Sequence, residues 1–368
     1  MRGHGVQSPR SMGRLRRNRK DAALLLVLLA LGCTAPAERA RPVSPADVAP
    51  LPPVQLPATA VSSLPAAVPP FRIAFGLCND SRAMQPIWGP IRMREPDLWI
   101  WLGDNVYADT DDMMVMRQLY DALRAEPGYA ALRQHTRVIG TWDDHDYGRN
   151  NAGHEYPRRA EAQQVLLDFL DEPQGSPRRA QQGVYASYDF GVPPRQVRVI
   201  LLDTRYHREP PGPTADILGA VQWAWLEQHL RDSQAAVHVI GSSIQVIADE
   251  HRFEKWANFP AARERLLRLI AQSAARNVVI ISGDRHFAEL SRLSFDPVRG
   301  YLYDLTSSSL NRPWRGASEL NSHRVGDLYP RANFGIVEID WAAMQMALQI
   351  RDEIGVVQID ARVPLQAR

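Results

Sequence analysis

Leu102-Gly103-Asp104-Asn105-Val106-Tyr107-Ala108-Asp109 places a carboxylate directly after a short apolar run at residues 97–102. That run is typical of a buried strand, which Gly103 ends. A carboxylate just past the carboxyl end of a buried strand is poorly placed to stabilise a core. It is well placed to hold a cation in the crevice where α/β sheets bind ligands. The sequence therefore predicts a metal ligand at Asp104.

Apolar runs alternate with helical or loop segments along most of the chain. Strands are predicted at 71–76, 97–102, 136–142, 197–203, 237–241 and 277–283. Helices are predicted at 113–123, 158–170, 220–231 and 261–275. This order predicts an α/β sheet with helices outside it. The end of the chain differs, because 301–306, 334–340, 346–351 and 356–362 are predicted as consecutive strands with no room for crossovers.

The composition is that of a globular protein with a large core. The chain has 368 residues, of which 45% are hydrophobic and 23% charged, enough for one large domain or two ordinary ones. Residues 1–32 hold seven basic residues and one acidic residue, so the rest of the chain has 36 basic and 40 acidic residues. Its net charge of −4 gives no basic patch, and a nucleic-acid partner is not expected.

The amino-terminal segment is predicted to be an export signal. A basic segment precedes ten apolar residues at 22–31, a run too short to span a bilayer. Ala30-Leu31-Gly32-Cys33 then resembles the lipobox of bacterial lipoproteins, in which the cysteine is lipidated. Residues 1–33 are therefore predicted to be a signal peptide ending at Cys33, which would anchor an exported lipoprotein in the periplasm or outer cell envelope. An ordinary signal peptide, an uncleaved anchor and a twin-arginine signal at Arg16-Arg17 are the alternatives.

A linker is predicted between the signal and the folded domain. Residues 34–70 contain ten prolines in 37 residues and no aromatic residue, a composition typical of a disordered Pro/Ala-rich spacer. The domain is predicted to cover residues 71–368. Only two cysteines occur, so lipidation of Cys33 would leave Cys78 without a disulfide partner. Cys78 follows the first predicted strand, although a small buried core residue is the alternative interpretation.

Five predicted strand ends carry polar clusters, and we expect them to lie at the same edge of one sheet. Carboxylates held this close repel one another unless a cation lies between them. A single cluster of this kind is more often a helix cap or a loop hydrogen bonder, but five together predict a metal site. The clusters lie at residues 76–80, 103–107, 142–146, 241–245 and 283–286.

These motifs, taken together, resemble the PhoD-like (alkaline phosphatase D) family of the calcineurin-like metallophosphoesterase superfamily. The resemblance covers residues 71 to 340 and implies an α/β fold of two mixed β-sheets packed as a sandwich and flanked by helices. The motifs that carry it are Cys78, Asp104-x-x-Tyr107, Trp142-Asp143-Asp144-His145-Asp146, Leu202-Asp203-Thr204-Arg205 and Ser282-Gly283-Asp284-Arg285-His286-Phe287-Ala288-Glu289-Leu290.

The resemblance implies a first metal site for ferric iron. Asp104 would bridge two metals, and Cys78, Tyr107 and His286 would complete the first site. A thiolate and a phenolate are anionic ligands that suit a trivalent ion. The three-residue spacing would let Asp104 and Tyr107 point the same way over a turn of helix. Packing against the sheet is the alternative interpretation of Tyr107.

The resemblance implies a second metal site with oxygen ligands from Asp104, Asp144 and Asp284. Hard oxygen donors favour calcium, with zinc or manganese as substitutes. Gln245, or a serine near it, is a candidate for the place of a further superfamily histidine, with no role assigned. Asp109 finds no partner motif and is predicted to be an ordinary loop residue.

Two residues are candidates for chemistry rather than metal binding. His145 could contact a phosphate oxygen and protonate the leaving group, since histidine titrates near neutrality. A satisfied loop histidine or a further ligand is the alternative. Arg205 could clamp phosphate bidentately. This residue type alone says little, because the chain has 41 arginines and two lysines.

The predicted function is an exported metal-dependent phosphoesterase that hydrolyses phosphate monoesters, diesters or both through two-metal activation of water. Its substrate would be a small-molecule or lipid-linked phosphate ester, and a monomer is expected. A phospholipase or cell-envelope phosphodiesterase and a metal-containing binding lipoprotein without turnover are the alternatives. A serine esterase would need a Gly-x-Ser-x-Gly elbow, which Gly241-Ser242-Ser243 does not complete.

Overall fold

The computed structural model describes residues 69–296 and 300–367. The predicted signal peptide with Cys33, and the predicted linker as far as residue 68, lie outside the described residues. None of the helices in the described ranges is both long and apolar enough to cross a membrane. The elements in chain order are β1 (Phe71–Gly76), α1 (Trp88–Arg92), β2 (Leu98–Trp101), α2 (Met113–Ala125), α3 (Pro127–Arg133), β3 (Arg137–Gly140), α4 (Asp144–Tyr147), α5 (Arg159–Phe169), β4 (Ala186–Phe190), β5 (Val197–Leu201), α6 (Gly219–Arg231), β6 (Val237–Ile244), α7 (Pro260–Gln272), β7 (Val278–Gly283), β8 (Ala288–Asp296), β9 (Gly300–Ser307), β10 (Asn333–Asp340), β11 (Gln345–Asp352) and β12 (Val357–Pro364).

The strands form two mixed sheets of six strands each. The first has the order β12-β11-β10-β1-β2-β3, and the second has the order β4-β5-β6-β7-β9-β8. β1 pairs in parallel with β2, where Ile73 lies opposite Leu98, and antiparallel with β10, where Ile73 lies opposite Val337. The first strand of the chain is therefore enclosed by strands from near both ends of the described domain.

Side-chain alternation along the strands builds three apolar layers. In β1, Ile73 and Phe75 belong to the core between the sheets, whereas Ala74 belongs to the layer under the helices. Trp99 and Trp101 of β2 lie in that outer layer with residues of α1, α2, α3 and α5. A third cluster joins the second sheet to α6 and α7. This period of two, with helices on both outer faces, confirms the predicted sandwich.

The predicted helices match α2, α5, α6 and α7 to within a few residues, and the four predicted carboxy-terminal strands match β9 to β12. The sequence prediction missed α1, α3, α4, β4 and β8. The expectation that the five polar clusters lie along one sheet is wrong. β1, β2 and β3 belong to the first sheet, and β6 and β7 belong to the second. The clusters after β1, β2 and β3 meet the cluster after β7, which belongs to the opposite sheet.

Candidate active site

The loop after β2 depends on a glycine that allows a close approach between two chain segments. Gly103 has a φ of 119°, and a Cβ at this position would lie 2.4 Å from the backbone nitrogen of Asp143. The next residue, Asp104, is fully buried and has a φ of 46°. Its Oδ2 accepts a hydrogen bond of 3.1 Å from the hydroxyl of Tyr107. The predicted turn of helix is wrong, because residues 102–112 form a loop, but the two side chains still meet.

Cys78, Asp104, Tyr107 and His286 come together as the resemblance implied. The ligand atoms of Cys78, Asp104 and His286 lie within 4.8 Å of one another. Cys78 Sγ is 3.5 Å from Asp104 Oδ2, and the Tyr107 hydroxyl is 3.5 Å from His286 Nε2. One sulfur, one carboxylate, one phenol and one imidazole therefore converge on the same small volume.

His286 is oriented by its neighbours so that one ring nitrogen points at this group. Its Nδ1 lies 2.5 Å from the carbonyl oxygen of Arg312, which can only accept, so Nδ1 carries the proton. Burial lowers the pKa of His286, which favours the neutral ring. Nε2 is then left as a lone-pair donor toward Tyr107. A carbonyl partner that fixes the tautomer in this way is typical of a metal-binding histidine.

Asp144 links the first group to a second set of carboxylates. Its ligand atoms lie within 4.8 Å of those of Asp104 and His145 in one group, and of those of Asp143 and Asp284 in another. The predicted oxygen ligands Asp104, Asp144 and Asp284 are thus connected through Asp144. Asp143 also belongs to this cluster, although it was not predicted to be a ligand.

Four predicted ligands have backbone conformations that side chains rarely adopt. The φ angles are 55° at Cys78, 46° at Asp104, 68° at Asp284 and 58° at His286. Each such residue costs on the order of 1 kcal/mol or more, and this cost persists only where the surrounding structure enforces it. Left-handed residues of this kind are typical of functional sites.

The electrostatics of the cluster fit a bound cation. Burial, followed by the charge of Asp144, raises the pKa of Asp104 well above its usual range. Burial and the Asp104 charge raise the pKa of both Cys78 and Tyr107, and burial raises the pKa of Asp284 to about 7. A cation between these donors would offset both the burial and the repulsion. The donor types also fit metal binding, because a thiol, an imidazole and hard oxygens all serve as ligands.

The structure does not support Arg205 as a phosphate clamp. Its side chain is fully buried, and its Nε donates a hydrogen bond of 2.6 Å to Asp143 Oδ1. Its second terminal nitrogen pairs with Glu254, which also binds Arg208. Arg205 is therefore part of the wall behind the carboxylates. The arginines that line the cavity beside the site include Arg208 and Arg252.

The prediction that Asp109 is an ordinary loop residue is wrong. Both of its carboxylate oxygens lie 2.8 Å from Nδ1 of His145. Burial alone would lower the pKa of His145, but the Asp109 hydrogen bond with the charges of Asp104 and Asp144 raises it to about 9. A protonated Nδ1 bound to Asp109 leaves Nε2 available on the cavity side. No local signal could find this pair, because 36 residues separate its members.

Asp146 is a positioning residue that sequence reasoning did not assign. Its Oδ1 accepts from the backbone nitrogens of Asp104 (3.1 Å) and Asp143 (2.7 Å). Its Oδ2 accepts from the nitrogen of Asn105 (3.1 Å) and the hydroxyl of Tyr120 (2.9 Å). The bonds from Asp104 and Asn105 tie the loop after β2 to the segment after β3, and the bond from Tyr120 ties that segment to α2. The relative position of the ligands on the two loops depends on them.

Gln245 directly follows β6 and contacts two other strands of the second sheet. Its Nε2 donates to Glu289 Oε1 at 2.7 Å and to Thr306 Oγ1 at 2.9 Å, and the side chain is fully buried. The preceding residues, 241–244, are part of β6 rather than a loop beyond it. The polar cluster after this strand therefore contributes to packing between β6, β8 and β9.

The carboxylates open onto a cavity of about 760 Å³. Asp144, His145, Asp284 and His286 line one part of it. This volume falls in the range of pockets that hold whole small-molecule ligands rather than a single ion. The site thus has room for an ester carrying a substantial organic group.

A family model and a curated relative both relate the chain to PhoD-like phosphatases. Residues 78–350 match the family model described as PhoD-like phosphatase. Alkaline phosphatase D of Bacillus subtilis (strain 168) is 24% identical over an alignment of 299 residues, and the match covers 67% of this chain and 50% of that protein. The chain therefore spans about half the length of this relative.

Solved structures share the fold. A structure of PhoD is similar with a TM-score of 0.64 and 20% identity, covering 81% of this chain and 69% of that one. The purple acid phosphatase PPD1 from yellow lupin (Lupinus luteus) seeds gives a TM-score of 0.60 and 12% identity, covering 80% and 54%. At these identities the likeness concerns the fold alone.

Proposed function

The chain belongs to the PhoD-like phosphatase family, and we propose that it hydrolyses phosphate monoesters, diesters or both with bound metal ions. The observation that carries this proposal is the convergence of Cys78, Asp104 and His286 with Asp144 and Asp284 at one end of the sandwich. In the reaction, an oxygen from water forms a new bond to phosphorus while the bond to the alcohol oxygen breaks. The alcohol leaves with a proton.

We propose that Cys78, Asp104, Tyr107 and His286 hold ferric iron, and that Asp104, Asp144 and Asp284 hold calcium. Bound metal ions would polarise the phosphoryl oxygens and lower the pKa of an attacking water. The Cys78 thiolate and the Tyr107 phenolate are anionic ligands that favour a trivalent ion in the first site. The carboxylates favour a hard divalent ion in the second site.

The role proposed for His145 is to supply the proton that the leaving alcohol needs. Asp109 holds the Nδ1 side of the ring, and its negative charge favours the protonated imidazole. A protonated imidazole beside the cavity is a suitable general acid. Asp144, its neighbour in the chain, would serve as a ligand and take no part in this proton transfer.

The direct test is hydrolysis of nitrophenyl phosphate and bis-nitrophenyl phosphate by the metal-loaded protein, with and without a chelator. Asp104→Ala is expected to abolish turnover and metal binding together. Asp111→Ala is a matched control, because Asp111 is an exposed carboxylate bound to Arg149 on the nearby loop. Near-normal turnover in Asp104→Ala overturns the proposal. Full metal loading of the unmutated protein without turnover would instead indicate a binding protein.

The metal assignment has its own test. Elemental analysis of the purified protein is expected to show iron and calcium, and phenolate or thiolate bound to ferric iron should give a visible absorption band. Tyr107→Phe should shift or remove a phenolate band while iron stays bound. A colourless, active protein containing only zinc contradicts the roles proposed for Cys78 and Tyr107.

We also propose that the protein is an exported lipoprotein anchored through Cys33. Support comes from the basic segment, the short apolar run and the lipobox-like Ala30-Leu31-Gly32-Cys33. The natural substrate would then be a small-molecule or lipid-linked phosphate ester of the cell envelope. Cys33→Ser is expected to abolish incorporation of labelled fatty acid. Unchanged labelling in that variant would refute the anchor.

A further inference from the structure

One tryptophan differs from the others in its surroundings. Six of the nine tryptophans, all of which lie in the described ranges, are at most 1% exposed and form part of the core. Trp314 is 39% exposed and lines the same cavity as Asp144 and Asp284. A large aromatic side chain left in contact with solvent inside a cavity contributes little to folding. It is available to contact a ligand.

The position of Trp314 is fixed relative to the metal-binding group. Its backbone nitrogen donates a hydrogen bond of 2.8 Å to the carbonyl oxygen of His286. Two residues earlier, the Arg312 carbonyl accepts from His286 Nδ1 at 2.5 Å. The segment that carries the indole is therefore bonded at two points to a predicted metal ligand. The backbone that carries the indole cannot move far from that ligand without breaking these bonds.

A second aromatic ring from another segment completes the arrangement. The rings of Phe253 and Trp314 have centroids 5.7 Å apart and planes at 78°. The guanidinium of Arg285 lies 4.1 Å above the Phe253 ring and also binds Glu319 at 2.5 Å. Arg285 lies between Asp284 and His286 in the chain, so this ring too is held next to the metal ligands.

This arrangement suits a flat ring better than a sugar or an alkyl chain. Two aromatic rings at a steep angle give a planar group both a face and an edge to pack against. Stacking of a nucleobase on an aromatic side chain is worth about tenfold in affinity. The cavity of about 760 Å³ has room for a nucleoside beyond the phosphate.

We propose that Phe253 and Trp314 form a subsite for a planar ring on the alcohol side of the phosphate ester. The preferred substrates are then nucleotides and related esters whose alcohol carries an aromatic ring. This inference rests on the proposed phosphoesterase function and specifies its substrate class. Phe253 and Trp314 take no part in bond breaking, and their role is to hold the leaving group.

The test compares adenosine 5′-monophosphate with ribose 5-phosphate. In both, the leaving group is a ribose 5′-hydroxyl, so the ratio of their kcat/KM values isolates the contribution of the base. The metal-loaded, full-length protein is expected to favour the nucleotide by about tenfold. In Trp314→Leu and Phe253→Leu, the ratio should fall toward unity. Trp225→Leu is a matched control, since this tryptophan packs on Tyr185 and His229 outside the cavity, and should keep the original ratio.

The outcomes separate this inference from the function on which it rests. Equal kcat/KM values for the two substrates, or an unchanged ratio in both leucine variants, overturn the aromatic subsite and leave the phosphoesterase intact. If neither of these monoesters nor the diester bis-nitrophenyl phosphate is hydrolysed, the proposed function is overturned. In that case, phenylphosphonate and methylphosphonate binding to the metal-loaded protein still tests the subsite, which predicts tighter binding of the phenyl compound and loss of that difference in Trp314→Leu.

Discussion

Asp109→Asn tests whether His145 delivers a proton to the leaving group. Both oxygens of Asp109 lie 2.8 Å from Nδ1 of His145. The asparagine amide still offers one oxygen that can accept from Nδ1, so the ring keeps its orientation. The substitution removes the negative charge that stabilises the protonated imidazole. The substitution therefore changes how strongly His145 holds its proton and leaves the position of the ring unchanged.

The size of the effect follows from the type of hydrogen bond that changes. A hydrogen bond to a charged group contributes about 1.5–3 kcal/mol, and a neutral one contributes about 0.5–1.5 kcal/mol. The Asp109 side chain is 44% exposed, so solvent screens part of this difference. A loss of about 1 kcal/mol remains, which lowers the pKa of His145 by about 0.7 and, at a pH above that pKa, lowers the protonated fraction about fivefold.

The assay uses esters that differ in their need for an acid. Nitrophenol leaves readily as an anion, whereas an alkyl alcohol needs a proton as the bond to phosphorus breaks. On the alkaline side of the pH–rate profile, where His145 is only partly protonated, we expect kcat of Asp109→Asn to fall about fivefold on an alkyl phosphate and to change little on nitrophenyl phosphate. Asp111→Asn, on the same loop and bound to Arg149, should behave like the unmutated protein on both.

Two results would refute this reasoning. An equal loss on both esters would mean that Asp109 supports the fold or the metal site rather than proton delivery. A further loss when Asp109→Asn is added to His145→Gln would mean that the carboxylate acts on something other than the imidazole, since the two should act as one unit.

Three other substitutions address the stability of the fold. Burial lowers the pKa of His238 to about 4, so as the pH falls below about 6.5 the unfolded chain takes up a proton before the folded protein does. In urea titrations, the free energy of unfolding should therefore drop by about 2 kcal/mol between about pH 7.5 and pH 5. His238→Gln should remove this drop. Gly103→Ala should cost more than about 2 kcal/mol in the same measurement, because the methyl group meets the backbone of Asp143 at a φ that alanine avoids. Glu254→Gln should cost about 3 kcal/mol, because it leaves the buried charge of Arg205 half compensated.

Each of these three stability predictions has a control substitution. Ser233→Ala, which removes the hydroxyl next to Nε2 of His238 but leaves the buried imidazole in place, should keep the drop. Gly175→Ala, where an added methyl meets nothing within 4 Å, should be close to neutral. Glu264→Gln replaces an exposed glutamate and should cost little. Matching losses in a variant and its control would contradict the corresponding explanation.

Most of the fold was predictable because its signals are local. β2 and the following Gly103 and Asp104 are a continuous apolar run, a turn and a ligand, and all three are visible in eight residues. β8 was missed because its inward positions include Glu289 and Ser291, which are 1% exposed. Burial of Glu289 depends on residues distant in the chain, including Arg324, which pairs with it from 35 residues away. Such a partner cannot be read from periodicity.

The candidate site was predictable as a set of residues but not as an arrangement. The motifs identified residues that converge in the structure, because residue type and order are visible in the sequence. The roles of Arg205 and Asp109 depend on contacts with Asp143 and His145 across 62 and 36 positions. The sequence does not show whether a guanidinium is buried behind a cavity or exposed to it, because this depends on the packing of the folded chain.

The placement of β1 between β2 and β10 has a consequence for how the protein folds. β1 begins at residue 71, and its antiparallel partner begins at residue 333, so the first sheet cannot be completed until most of the domain is available. Contacts between such distant segments make folding slow, since a long loop must close before they contribute. Until then, one edge of β1 is unpaired and open to another chain. A nascent or translocating chain therefore has a long interval in which a chaperone would need to protect this strand, and the ligands at its end come together late.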